Sequence, residues 1–263
     1  VEGRRGSTGP SAMSSPAGTP AGRATVVLVH GGFLGPWVWE GVEARLAAAG
    51  VPSVGVALPS VGRPPGLGDL TADVAAVRAA LERLEAPVVL CGHSYAGMVI
   101  TEAAAGPASP VTRLVYLTSA IPDVGDTVAS LPTSPAPCVV AGTGPDISRL
   151  RIDAVSVTDG VMTMSRQGAL VGLFHDCAPA RAERAIERLR PMNASTGGTP
   201  VKVAAWREIP AVHVRAQDDR LPETIAREFV PETVLEVPGG HCPQWSHPDP
   251  VADLLIAQAA IAS

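Results

Sequence analysis

The run VVLCGHSYAGMVI, residues 88–100, carries the sharpest chemical signal in the chain. An apolar, β-branched stretch leads into Gly92-His93-Ser94-Tyr95-Ala96-Gly97, and an apolar helical pattern follows. A serine on a tight strand-to-helix turn projects its hydroxyl clear of the backbone. The helix start aims backbone N–H groups and a positive dipole end at the same point. Such a turn needs small residues two positions before and two after the serine. Gly92 meets the first need. Ala96 stands where glycine is usual, and its single methyl group is small enough to be tolerated. The plain alternative is a serine that only caps a helix.

A serine hydroxyl is a weak nucleophile and needs a base. Of the six histidines, His241 fits best, in the loop VPGGHCPQWSHP after a strand pattern. His247 reads as a helix-entry residue, His213 as a packed strand residue, His93 as a structural neighbour of the serine, and His30 as a residue that orders the Gly-rich turn. A carboxylate must then orient the imidazole. Asp218 and Asp219 compete for that role after the strand pattern 211–216. Asp219 is favoured because it lies far enough past the strand end to turn inward. Capping of a following helix is the plain alternative for both, and Asp123 is a more distant candidate. In His30-Gly31-Gly32-Phe33, the Gly32 N–H is expected to pair with the Tyr95 N–H and stabilise an oxyanion. The same glycines make a poor phosphate cradle, because no G-x-G-x-x-G is present and no P-loop lysine follows.

These residues need a scaffold, and the hydrophobic pattern supplies one. Strands are expected at 26–29, 51–57, 88–91, 114–117, 211–216 and 234–237. Helices are expected at 38–49, 71–84, 95–105, 222–229 and 250–262. Alternating strands and helices imply a mostly parallel sheet covered on both faces. Between 121 and 207 the pattern is irregular, with one clear helix around 182–189, and this stretch reads as an insertion. Residues 1–20, rich in Gly, Ser and Pro, read as a disordered arm or a vector-derived scar, with Met13 a candidate start. The rest, 21–263, reads as one unit.

Composition narrows the function. The chain has 263 residues, 46% of them hydrophobic, which is enough for a large core. The net charge of −5 argues against a nucleic-acid partner. With 3% aromatics, stacking platforms for sugars or single strands are not expected. No long apolar run suggests a membrane span. The four cysteines form no C-x-x-C pair and no zinc spacing, so no metal and no cofactor is expected, and a reducing, cytoplasmic setting is inferred. Lys202 is the only lysine beside many arginines, a composition that fits a GC-rich bacterial genome.

The order Ser94, Asp219, His241 matches that of α/β-hydrolases. From about residue 24 onward the chain resembles that superfamily, in particular the branch of plant methyl esterases and hydroxynitrile lyases with their bacterial relatives. The resemblance rests on VVLVHGGFLGPWVWE, DVAAVRAALERLEAPVVLCGHSYAGMVI, RAQDDRLPE and VPGGHCPQWSHPDPVADLL. It implies an α/β-hydrolase fold with a mostly helical cap, for which 121–207 is the candidate, and it again selects Asp219. It also draws attention to Leu173-Phe174-His175-Asp176-Cys177, to which the sequence alone assigns no role.

Hydroxynitrile lyases of this branch carry a Thr in the first turn and a Lys after the catalytic His; here those positions hold Gly31 and Cys242. The expectation is therefore a serine hydrolase cleaving a small-molecule carboxylic ester. The alternatives are lyase, cyclising or cofactor-free oxygenase chemistry on the same scaffold, or a non-catalytic ligand-binding protein. Phe33, Phe174 and Trp206 are the expected pocket walls. Oligomeric state is not readable.

Overall fold

The computed structural model describes residues 23–145 and 154–263. The expected N-terminal arm lies outside the described residues. Among those residues the main sheet has six strands. They are β1 (Thr25–Val29), β2 (Ser53–Val56), β3 (Val88–His93), β4 (Val111–Leu117), β5 (Ala211–Ala216) and β6 (Thr233–Val237). Their order across the sheet is β6-β5-β4-β3-β1-β2, and every pair is parallel.

Parallel strands covered on both faces have to be apolar throughout, and β3 shows it, with all six residues buried. One face of the sheet packs against α2 (Leu70–Leu81) and α3 (Ala96–Ala103). The other packs against α1 (Glu40–Ala48) and the last helix, Pro248–Ala262. Local sequence explains these helices. Asp69 caps α2 by accepting the Ala72 N–H at 2.9 Å, and Leu70, Val74, Val77 and Leu81 form its buried stripe. Helix α3 is buried on every side and accordingly lacks a polar face.

This topology positions the site. The chain runs from β1 out to β2, returns to β3 beside β1, and then builds the sheet the other way. The crevice between the C-terminal ends of β1 and β3 is thus a topological switch point, where open α/β sheets bind ligands. The Gly31-Gly32 turn follows β1 and the Ser94 turn follows β3. The loops after β5 and β6 open at the same edge.

One expectation needs correction and another an addition. The segment 222–229 is not a helix: Glu223–Thr224 pairs antiparallel with Thr133–Ser134, and Ile121 bridges Ile225. The extended form is held by hydrogen bonds Ile121 N–H to Thr224 O (2.9 Å) and Ala226 N–H to Ile121 O (2.8 Å), so tertiary pairing overrides local helix propensity. The insertion between β4 and β5 is helical in most of its regular described residues, as expected, but it also holds strands that the pattern did not show. Beside short helices at Pro137–Ala141 and α4 (Pro179–Ile186) it holds an antiparallel sheet of Val155–Thr158, Val161–Met164 and Met192–Asn193. Asp159 and Gly160 turn the hairpin with positive φ (49° and 75°), the backbone form that a two-residue Asp-Gly turn requires.

His30, at the end of β1, ties the Gly-rich turn to the chain after β2. Its Nε2 accepts the Leu58 N–H at 3.1 Å, and Nδ1–H donates to Gly31 O at 2.9 Å. Burial lowers its pKa from 6.5 to about 4. Between those values the unfolded chain binds the proton that the folded chain refuses, so the stability linked to His30 is lost as pH falls from about 6.5 toward 4. A series of thermal melts from pH 7.5 to 4.5 should show Tm falling across this window, with a shallower slope in His30→Gln. Equal slopes would contradict this role for His30.

Candidate active site

Ser94 occupies the turn between β3 and α3 with φ of +55°, a left-handed conformation that costs a non-glycine residue energy and persists only where its surroundings fix it. The fixing groups are visible. Ser94 N–H donates to Leu117 O at 3.3 Å. Its carbonyl accepts from Gly97 N–H and Ala120 N–H, both at 3.1 Å, and from the Ser119 hydroxyl at 2.7 Å. Gly97 allows this closure: a Cβ there would lie 1.7 Å from Ala120 O. Ala96, the departure from the usual pattern, is fully buried, so its methyl group is accommodated.

His241 and Asp219 reach Ser94 from the loops after β6 and β5. His241 Nε2 lies 2.9 Å from Ser94 Oγ, and His241 Nδ1 lies 2.9 Å from Asp219 Oδ2. With Nδ1–H donating to the carboxylate, Nε2 is free to accept the serine proton. The second Asp219 oxygen accepts the Leu221 N–H at 2.9 Å, which fixes the carboxylate plane. Both residues are buried. The backbone of His241 is fixed as well: its carbonyl accepts from His93 Nε2–H at 2.7 Å and from the Thr118 hydroxyl at 2.9 Å. Burial and the neighbouring His241 hold His93 well below the ordinary histidine range, so it stays a neutral donor.

Other candidates lie elsewhere. Asp218 N–H donates to Gly239 O at 2.9 Å, and Asp123 pairs with Arg207. His247 stands at the entry to the last helix, as expected, with Nδ1 3.0 Å from the Ser246 hydroxyl.

Ser94 and His241 open onto a cavity of about 390 Å³. Gly32 and Tyr95 line it beside the serine, and Phe33 is one of its walls. Phe174 and Trp206 are not among its lining residues, which corrects the expectation for both. Phe174 is fully buried in the core beneath the cap. Trp206 gives its indole N–H to Pro122 O at 2.7 Å and packs edge-on against Phe229 at 5.3 Å.

Sequence reading missed three features. The apolar wall is supplied largely by Met162, Met164 and Met192 of the cap sheet, with Leu173 and Leu221. A polar corner holds His213, Arg215 and Glu223. There Arg215 donates two hydrogen bonds to Glu223 (2.9 and 2.7 Å), and His213 lies 3.3 Å from the same carboxylate. Burial pushes Glu223 upward, but His213 and Arg215 outweigh it and keep the carboxyl below its ordinary range. Finally, buried Asp73 on α2 accepts the Tyr95 hydroxyl and the Ser60 N–H, each at 2.8 Å, and so fixes the residue after the serine. Among the described residues, no group of His, Cys, Asp and Glu could hold a metal ion, and no helix is long and apolar enough to cross a membrane.

A family model described as the alpha/beta hydrolase family matches residues 26–254. The chain belongs to that family. It is 28% identical over 250 residues to the alpha/beta hydrolase nvfD of Aspergillus novofumigatus (strain IBT 16806), covering 89% of this chain and 95% of that protein. It is 37% identical over 113 residues to a carbendazim hydrolyzing esterase of Nocardioides sp. (strain SG-4G), covering 41% of this chain and 47% of that protein. In fold it is similar to the crystal structure of polyneuridine aldehyde esterase, with a TM-score of 0.71 and 19% identity over 90% of this chain and 99% of that one.

The geometry distinguishes the two neighbouring aspartates. Asp219→Asn, whose amide NH2 can donate to His241 Nδ1 and so favour the wrong ring tautomer, is expected to lower kcat on a soluble ester by ~10³- to 10⁴-fold with KM little changed. Asp218→Asn should cost less than ~10-fold, the size of a lost capping or loop contact rather than of a triad member. Steady-state kinetics of the two purified variants decide the matter, and a larger kcat loss in Asp218→Asn would reverse the assignment.

Proposed function

We propose that this chain is a serine hydrolase that cleaves carboxylic esters of small, largely apolar molecules through an acyl-enzyme. The observation that carries this reading is the unbroken hydrogen-bond chain Ser94–His241–Asp219, opening on a mainly apolar cavity. His241 Nε2 takes the Ser94 proton as Oγ attacks the ester carbonyl. The Gly32 and Tyr95 N–H groups hold the oxyanion. His241 then returns the proton to the leaving alcohol. Water enters, loses a proton to the same nitrogen and attacks the acyl carbonyl; as the acyl–Oγ bond breaks, His241 gives that proton to Ser94 Oγ and the acid leaves. Asp219 keeps the ring in the needed tautomer and stabilises the imidazolium formed in each half-reaction.

The cavity suggests what fits. A volume of about 390 Å³ suits a small organic molecule, and flexible methionines on the cap side favour varied apolar shapes. The Arg215–Glu223 pair is charge-compensated, so this corner suits a neutral polar group rather than an ionic one. A cyanide-releasing lyase is less well served. The position after His241 holds Cys242, a fully buried thiol that burial keeps protonated, and not a cation.

A series of p-nitrophenyl esters (acetate, butyrate, octanoate) tests the proposal. Hydrolysis is expected, and Ser94→Ala should reduce it by at least ~10⁴-fold, because nucleophile and base act as a unit. Its far-UV circular dichroism should be unchanged. EDTA should leave the rate unaffected. Turnover that persists in Ser94→Ala, or that EDTA abolishes and a divalent ion restores, would overturn the reading.

A further inference from the structure

The segment Leu173–Cys177 lies in the cap, yet it touches the loop that carries His241. Phe174 is buried in the core, and its N–H donates to Ala169 O at 3.0 Å; Cys177 N–H returns to Phe174 O at 3.1 Å. This tight turn, anchored by a fully buried aromatic ring, presents His175 and Asp176 to the glycines before His241. Asp176 Oδ2 accepts the Gly240 N–H at 2.8 Å, the amide that immediately precedes His241. His247 Nδ1 lies 3.5 Å from the same oxygen. Asp176 Oδ1 and His175 Nε2 are buried without a hydrogen-bond partner among the described residues.

The approach is close enough that a side chain on either glycine would have to displace its neighbours. A Cβ on Gly240 would stand 2.5 Å from His175 Nε2 and 3.0 Å from Asp176 Oδ1, and one on Gly239 would stand 2.8 Å from Asp176 Oδ2. Gly239 also has φ of +102°, so the loop depends on its two glycines both for conformation and for contact. A hydrogen bond from a backbone amide to a carboxylate is of the stronger, charge-assisted kind. Here it joins the cap to the position of the imidazole.

We propose that Asp176 is a positioning residue: its carboxylate latches the His241 loop to the cap through the Gly240 N–H and so holds Nε2 in line with Ser94 Oγ. The proposal rests on the reading of His241 as the base of Ser94. It gives the Leu173–Cys177 segment a function without any contact to substrate. It also makes the cap, not only the sheet, part of what aligns the base.

The test measures labelling of Ser94 by a fluorophosphonate, which needs an aligned base but not the natural substrate. The maximal rate kinact and the binding constant KI are determined separately. In Asp176→Ala, kinact should fall roughly 10- to 100-fold, the scale of a displacement of about 1 Å, while KI stays within about 3-fold. Asp176→Asn keeps a carbonyl oxygen that can accept the same N–H, so kinact should return to within about 5-fold of the parent. Gly240→Ala approaches the contact from the other side and stands in should Asp176→Ala fail to fold; its methyl group has to displace His175 and Asp176, and kinact should fall as in Asp176→Ala.

An Asp176→Ala protein that labels at the parent rate would overturn the latch. So would an Asp176→Asn protein as slow as Asp176→Ala, or a Gly240→Ala protein with parent kinact. Ser94→Ala is the separate control: labelling that survives it would overturn the serine-hydrolase reading itself.

Discussion

The 2.9 Å contact between His241 Nε2 and Ser94 Oγ joins side chains 147 residues apart, and much of the fold serves to bring them together. A displacement of about 1 Å in such a pair can cost ~10²-fold in rate, far more than one hydrogen bond contributes to stability. The scaffold must therefore fix positions rather than merely be stable. The parallel sheet does this first, by delivering the ends of β1, β3, β5 and β6 to one edge. Local tethers then act on each participant. The Ser94 carbonyl has three donors, the second Asp219 oxygen takes the Leu221 N–H, and the His241 carbonyl takes hydrogen bonds from His93 and Thr118.

Electrostatics around these tethers follows one rule. His30 and His93 are buried, and burial depresses both pKa values, so they stay neutral and add no positive charge near His241. In the proposed mechanism, the carboxylate facing His241 Nδ1 is the partner for the imidazolium that proton transfer would create. On the cavity side, the Glu223 carboxylate is balanced by the Arg215 guanidinium, so this pair presents a dipole rather than net charge. The site thus combines an apolar volume, a charge-balanced corner and the hydrogen-bonded line Ser94–His241–Asp219.

Much of the scaffold was legible because its signals are local. The apolar run before Ser94, the stripe of α2 and the order Ser94, Asp219, His241 are each written within a few residues, and the six strands lie where the hydrophobic pattern puts them. Where long-range contacts decide, the sequence was silent or misleading. Residues 222–229 carry a helical pattern, yet pairing with Ile121 and Thr133–Ser134 draws them into an extended form. Phe174 and Trp206 are aromatic residues in or beside the cap, and nothing in their spacing distinguished an anchor in the core from a pocket wall. The cap hairpin was readable in principle, since Val155–Thr158, Asp159-Gly160 and Val161–Met164 form an alternating pattern around a hairpin turn. Asp176 was not, because its importance lies in a contact with Gly240, 64 residues away.

The central claim is that Ser94 becomes covalently acylated during turnover. Rapid quenching during the reaction with a p-nitrophenyl ester, followed by peptide mass spectrometry, observes that intermediate directly. The account predicts a burst of p-nitrophenolate close to one equivalent per active chain when deacylation is the slower step, and an acyl mass on the peptide containing Ser94. Rapid ester turnover under the same slow-deacylation conditions, with no burst and no acyl group on that peptide, would contradict it.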